Sequence, residues 1–213
     1  YDSIDPMFTL YEFTEDQYLT PRTKEEGYSH QRRTGNCKGH FSTCKINLRG
    51  NFMNINEIKT AILQGTFDES LLKLYGETEK SKLRYAAACD SFKDLYPVSG
   101  EIRLFSAPGR TEVGGNHTDH QHGCVLAGSV DLDVIAVVSP NEDGIIRIKS
   151  EGYPEDIVDI NDLSKKDNEV GKAISLIRGV CFKFEEQGFA LKGFNAYTTS
   201  NVLKGSGLSS SAA

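Results

Sequence analysis

Gly109-Arg110-Thr111-Glu112-Val113-Gly114-Gly115-Asn116-His117-Thr118-Asp119-His120-Gln121-His122-Gly123 is the stretch around which the rest of the chain is organised. Four glycines and three histidines, with an arginine and an aspartate, are too polar for a core and too patterned for a linker. Glycines let a backbone turn tightly or approach a ligand closely. Arg, Asn, His and Asp add a fork donor, an amide, a titratable imidazole and a charged acceptor, the mixture a polyol needs because each hydroxyl both donates and accepts. A polar surface loop whose side chains satisfy one another is the bland alternative, since loops are polar anyway.

The flanks of this stretch suggest the fold. Upstream, Ile102, Leu104 and Ala107 alternate with polar residues and run into Pro108-Gly109, which predicts a strand delivering the chain into the motif. Downstream, residues 124–130, 131–138 and 145–148 are dense in β-branched and apolar side chains, with Asn141-Glu142-Asp143-Gly144 predicting a hairpin turn between the last two. Val170, Ala173, Ile174, Ile177, Val180, Cys181 and Phe184 recur at three- and four-residue intervals, the apolar face of a helix that Gly188 would cap. Phe194, Ala196 and Thr198 alternate as a further strand.

Farther upstream, Met53 is followed by Asn54-x-x-Glu57, a capping-box pattern, then by Ile55, Ile58 and Ile62 at helical spacing and Gly65 as a stop. Residues 68–76 and 78–94 predict two more helices, the second ending near Pro97. Strands and helices mixed in this order, with an antiparallel hairpin, predict an α+β fold of two layers with a mixed or antiparallel sheet, not a doubly wound parallel sheet. Residues 1–52, with seven basic and seven acidic side chains, show no sustained periodicity and read as a disordered or foreign extension, so residues 53–213 form the expected domain.

Composition narrows the function classes. Hydrophobic content of 38%, charged content of 25% and the lack of a long apolar run describe a soluble globular protein of 213 residues without a membrane span. A formal charge of −6, with no basic cluster longer than two residues, disfavours nucleic acid and favours a small-molecule ligand. Five scattered cysteines and no signal-peptide pattern suggest a reducing cytoplasm. Cys37, Cys44, His30 and His40 match no common structural zinc spacing. Cys89 and Cys181 read as small core residues, and Lys204 as a solvated loop charge.

A second special loop closes the sequence: Ser200-Asn201-Val202-Leu203-Lys204-Gly205-Ser206-Gly207-Leu208-Ser209-Ser210-Ser211-Ala212-Ala213. Two glycines and three hydroxyls between a strand and a helix start suit a polyphosphate, because a helix N-terminus offers unpaired N–H groups and a positive dipole end. A serine hydroxyl can also ligate Mg²⁺ held by the phosphates. The loop lacks the Gly-Lys-Ser/Thr ending of a P-loop, so a turn that only caps a helix is its bland reading.

The two loops taken together resemble a known family. Ala107-Pro108-Gly109-Arg110 with Gly115-Asn116-His117-Thr118-Asp119 closely resembles the first signature of galactokinases. Gly205-Ser206-Gly207-Leu208-Ser209-Ser210-Ser211-Ala212 resembles the phosphate-binding signature of the wider family of galactokinase, homoserine kinase, mevalonate kinase and phosphomevalonate kinase. The resemblance runs from about Met53 to the end and implies phosphoryl transfer from ATP, with Mg²⁺, to a sugar, galactose first, giving galactose 1-phosphate. By the same resemblance Arg110 lies beside the acceptor hydroxyl, and Asn116, His117 and Asp119 bind the sugar. Gly205, Ser206, Gly207, Leu208, Ser209, Ser210 and Ser211 surround the ATP phosphates, with Ser211 as the Mg²⁺ ligand. The family's catalytic aspartate follows the second signature, which implies a partial N-terminal domain here, a base beyond Ala213, and little activity from these residues alone.

Asn116 replaces the usual glutamate, His120 the usual tyrosine and Leu203 a usual proline, and Glu112 and Gly114 stand at apolar positions. Such changes bear on which sugar is taken, N-acetylgalactosamine among them, because polar mismatches discriminate strongly. A non-catalytic sugar and nucleotide sensor is an alternative, against which the full serine-alanine run argues. A Zn²⁺ or Ni²⁺ module built on His117, Asp119, His120 and His122 is another.

Overall fold

Asn54 begins the first helix as its sequence requires. In a computed structural model, which describes residues 8–12, 42–46, 53–97, 100–114 and 126–202, its side-chain oxygen accepts the backbone N–H groups of Asn56 at 3.0 Å and Glu57 at 3.1 Å. Glu57 returns a bond from its carboxylate to the Asn54 N–H at 2.8 Å, completing the capping box. The helix α1 (Ile55–Leu63) buries Ile55, Ile58 and Ile62. Helix α2 (Asp68–Tyr75) stops at Gly76, whose φ of 69° is the left-handed conformation that closes a helix. Helix α3 (Glu79–Leu95) ends two residues before Pro97 and buries Tyr85, Ala88, Cys89 and Phe92, a stripe at three- and four-residue spacing. Cys89 is core, as expected, and its burial pushes the thiol up to about 12.

The described strands are β1 (Phe8–Glu12), β2 (Ser42–Ile46), β3 (Arg103–Gly114), β4 (Leu126–Pro140), β5 (Ile145–Ser150), β6 (Glu155–Asp159) and β7 (Phe194–Ser200). They form one sheet in the order β1-β2-β3-β4-β7-β5-β6. All neighbours are antiparallel except β5 and β7, which run parallel, so the sheet is mixed and the α+β class is as expected. The structure also has regular elements where the sequence showed no periodicity: β1 and β2 lie before Met53, and β2 joins the sheet through Lys45 opposite Phe105 and Ile46 opposite Leu104. None of the described helices is long and apolar enough to cross a membrane.

One expected element is corrected. Asn141–Gly144 does turn the chain, with Gly144 at φ 72°, but it does not close a hairpin, because β7 lies between β4 and β5. The reason is visible at Asn141. Its N–H donates to the Gly193 carbonyl at 3.0 Å, and its side-chain amide donates to the Ile145 carbonyl at 2.8 Å and to Asn195 Oδ1 at 3.1 Å. The turn is thus stitched to β7, the strand it admits. The tight hairpin instead joins β5 to β6, a strand the sequence reading passed over.

Two cores result. Ile55, Ile58, Ile62, Phe67, Leu71, Tyr85 and Phe92 pack with Ile102, Leu104, Ile135, Val137 and Tyr197 of the sheet region. Ile146, Val158, Leu163 and Cys181 form the second, with Ile174, Ile177 and Phe194 against them. Phe194 and Tyr197 are three residues apart on a regular strand and face opposite ways, so helix α4 (Ala173–Glu186) packs on the face away from α1–α3. The predicted apolar face of α4 is only half right: Ile174, Ile177 and Cys181 pack inward, while Val180 and Phe184, and Val170 ahead of the helix, are exposed. Gly188 at φ 83° follows the helix as expected, its N–H reaching the Glu185 carbonyl at 2.8 Å.

Gly193 is where β7 squeezes past the turn. A Cβ there would stand 2.8 Å from the Ile145 nitrogen and 2.9 Å from its oxygen, both backbone atoms that cannot swing aside. Gly193→Ala is therefore expected to destabilise the protein by about 1–3 kcal/mol, as overpacking does, read as a lower urea midpoint; an unchanged midpoint would show that β7 has room to shift.

Candidate functional site

Strand direction brings the C-terminal ends of β3 and β7 to one side of the sheet. Both β3 and β7 are antiparallel to β4, so they run the same way and their C-terminal ends leave from the same side. The first motif sits at the end of β3 and the second follows β7. At about 4.8 Å per strand spacing, the two strands are about 10 Å apart across β4.

The register places them more closely. Ser200, the last residue of β7, lies opposite Val134, and Pro108 of β3 lies opposite the adjacent Asp133. Beyond this level β3 and β4 continue as a pair to Gly114 opposite Leu126. The first motif therefore starts as strand, not as the loop expected from Gly109 onward. It is an irregular strand: the pairing shifts between Pro108 and Arg110 and again between Glu112 and Gly114, bulges of the kind that re-aim side chains. Pro108, without an N–H, falls at the first shift, where no ladder bond is required of it.

Arg110 is exposed on β3, opposite Ser129 of β4 and just past the level where β7 ends. Asn116, His117 and Asp119 lie outside the described residues. So do Gly205, Ser206, Gly207, Leu208, Ser209, Ser210 and Ser211, and with them the Mg²⁺ ligand expected at Ser211. Among the described residues no group of three or more His, Cys, Asp or Glu side chains could hold a metal ion. His117, Asp119, His120 and His122 are not among those residues.

Beneath the start of both motifs is a buried charge that sequence reasoning missed. Asp133 is 2% exposed. Its Oδ1 accepts from Arg84 Nη1 at 2.5 Å, and its Oδ2 accepts from the hydroxyls of Tyr75 at 2.7 Å and Ser106 at 2.5 Å. Arg84 Nη2 also donates to the carbonyls of Asp133 at 3.0 Å and Thr199 at 3.2 Å. The Asn201 N–H donates to the same Asp133 carbonyl at 2.9 Å. Tyr75 and Tyr85 join hydroxyls at 2.9 Å, and burial, followed by the Asp133 charge, holds the Tyr75 hydroxyl protonated well above its ordinary range, as a donor. One signal was present in the sequence: Asp133 directly before the apolar run Val134–Val138, where a strand buried on that face has no use for a charge unless it is paired.

A cavity of about 410 Å³ lies apart from these motifs, between residues 163–171 and α4, lined by Leu163, Lys166, Val170, Ser175, Arg178 and Phe182 among others. At its edge Arg178 holds the Glu169 carboxylate with Nε and Nη2, each at 2.7 Å, and reaches the Asp162 carbonyl with Nη1. The Arg178 hydrogen bonds hold Glu169 below its ordinary value of 4.5 although the residue is buried. A depressed carboxylate stabilises the fold above its unfolded pKa, and that contribution is lost as the pH falls through the folded value. Glu169→Gln is therefore expected to lower Tm at neutral pH, with the gap to the parent closing below about 4.5. Thermal denaturation across that range checks it, and a gap independent of pH would rule out the ion pair as its source.

The chain is similar to known proteins over part of its length. Residues 90–140, which run from the end of α3 through β3 and β4, match the family model described as the galactokinase galactose-binding signature. The chain is 34% identical over 126 residues to a galactokinase of Streptomyces coelicolor, an alignment covering 58% of this chain and 32% of that protein. It is also 34% identical over 151 residues to a galactokinase of Candida parapsilosis, covering 67% and 30% respectively. A crystal structure of Lactococcus lactis galactokinase complexed with galactose aligns at a TM-score of 0.46 and 22% identity, covering 69% of this chain and 33% of that one. These curated relatives are galactokinases, which belong to the class of sugar kinases. Over residues 90–140 the chain is similar to the galactose-binding signature of galactokinases. It spans about a third of the length of the curated relatives it matches.

Proposed function

We propose that the complete protein transfers the γ-phosphoryl group of ATP to a hydroxyl of a sugar, galactose in the first place. The observation that carries this reading is strand geometry: β3, which leads into the sugar-signature stretch, and β7, which leads into the serine-rich stretch, flank β4, point the same way, and have Pro108 and Ser200 opposite the adjacent residues Asp133 and Val134. Two substrates that exchange a phosphoryl group have to meet, and motif-bearing strands that leave β4 on the same side support that reading.

In the reaction the bond from the γ-phosphorus to its bridging oxygen breaks and a bond to the sugar oxygen forms, while the hydroxyl proton passes to a base. Such chemistry is mainly positioning and charge stabilisation. Asn116, His117 and Asp119 would orient the sugar hydroxyls, and Arg110 would face the acceptor oxygen and the moving charge. The glycines and serines of residues 205–211 would cradle the phosphates with backbone N–H groups, and Ser211 would offer its hydroxyl to Mg²⁺, a hard cation that takes oxygen ligands. Mg²⁺ would supply charge neutralisation at the phosphates.

Asn116 favours a second version of the reading, a kinase for a related sugar such as N-acetylgalactosamine. Its amide can donate where a glutamate could only accept, so the hydrogen-bond pattern at the sugar differs by one group.

A coupled ADP-release assay on the complete protein with Mg-ATP and a panel of galactose, N-acetylgalactosamine and glucose tests the function. Arg110→Met is expected to lower kcat by about 10²–10³-fold, the usual cost of one charge-stabilising donor. Because Arg110 is exposed, its removal should leave Tm close to that of the parent. Turnover of Arg110→Met at the parent rate would remove this residue from the reaction, and absence of turnover with every sugar would overturn the reading.

A further inference from the structure

We propose that the Arg84–Asp133 pair is a positioning device that sets the sugar motif and the phosphate motif in register with each other. The inference rests on the proposed kinase function and concerns residues outside both motifs.

The pair touches each strand just before its motif begins. On the β3 side, Asp133 takes the hydroxyl of Ser106, immediately ahead of Ala107-Pro108-Gly109-Arg110. On the β7 side, Arg84 holds the Thr199 carbonyl and the Asp133 carbonyl takes the Asn201 N–H, shortly before Leu203 and the second motif. Asp133 itself marks the level on β4 where β7 stops and the β3–β4 pair goes on alone. A displacement of either strand along β4 would break contacts to one guanidinium and one carboxylate.

Stability alone is a poor reason for this arrangement. Burying two charges costs desolvation that their attraction often only matches, so apolar residues of the same volume would serve a core equally well. Arg84 moreover leaves its buried Nε without a hydrogen-bond partner among the described residues while aiming both terminal nitrogens at Asp133 and Thr199. A planar fork reaching one carboxylate and two carbonyls is a geometric specification that neither lysine nor an apolar side chain reproduces. Nor does Asp133 serve one helix only: Tyr75 of α2 and Arg84 of α3 both reach it, so the helical layer determines where the two strands sit.

Asp133→Asn keeps the size of the side chain and an acceptor for Ser106 but removes the charge that holds Arg84. In the complete protein, at a temperature where circular dichroism shows it folded, this variant is expected to lower kcat about 10²-fold, since small misplacements of reacting groups cost that much. The KM for sugar and for Mg-ATP should each stay within about twofold, because each motif still binds its own substrate and only their mutual placement has changed. Arg84→Lys should show the same split. Gly193→Ala, which destabilises the sheet away from the pair, is the control and should keep the parent kcat while folded. A folded Asp133→Asn with the parent kcat, or with a loss no larger than that of Gly193→Ala, overturns the inference. A rise in either KM with kcat unchanged overturns it as well. A parent protein without turnover on any sugar overturns the functional reading itself and this inference with it.

Discussion

The carboxylate of Asp133 in the middle of an apolar strand is the constraint on which the arrangement of the described sheet turns. Left alone it would be prohibitively costly in that place, and the surrounding structure answers it with an arginine and two hydroxyls. Each answer comes from a different element: Tyr75 from α2, Arg84 from α3, Ser106 from β3. Arg84 then extends the same network to β7 through the Thr199 carbonyl. Five elements thus share one charge, and their separation in sequence is bridged by a contact that no local preference would create.

The two cores explain why such a device sits where it does. The α1–α3 helices bury one face of β3, β4 and β7, and α4 buries the opposite face farther along, against β5 and β6. Apolar packing of this kind is tolerant of small shifts, since side chains of similar volume repack. Hydrogen bonds to a fixed carboxylate are not, because they weaken steeply with distance and angle. The polar network therefore provides the directional element of an otherwise non-directional interior. Arg178 and Glu169 provide a second, local one, fixing the connection before α4 to the helix itself.

In the candidate site, what the sequence made legible was composition and order. The glycine, arginine and histidine run, the serine-rich loop and their succession were enough to suggest a sugar and a polyphosphate, and the family match to residues 90–140 falls on the first of them. Helices were legible where periodicity and caps coincided: the Asn54–Glu57 box and the Ile55, Ile58, Ile62 stripe reappear in α1. Other features were hidden for physical reasons. Val180 and Phe184 fit the helical period of α4 yet face outward, because a period gives relative angles around a helix and not which side meets the sheet. Asn141–Gly144 has the composition of a hairpin turn, and turn chemistry is local, so it carries no information on whether a distant strand will enter beside it.

By itself the sequence determined the local elements of residues 53–97, the β-rich character of the chain beyond Glu101, the α+β class and the residue types of the two motifs, since all of these depend on residues close together in the chain. Tertiary structure alone decided that β7 lies between β4 and β5, that both motif-bearing strands run in the same direction beside β4, and that Arg84, Asp133, Ser106 and Thr199 converge. Those depend on strand pairing across many residues, where the preference of any one residue is too weak to choose a partner. The choice is made by burial of whole faces and by the need to satisfy one enclosed charge.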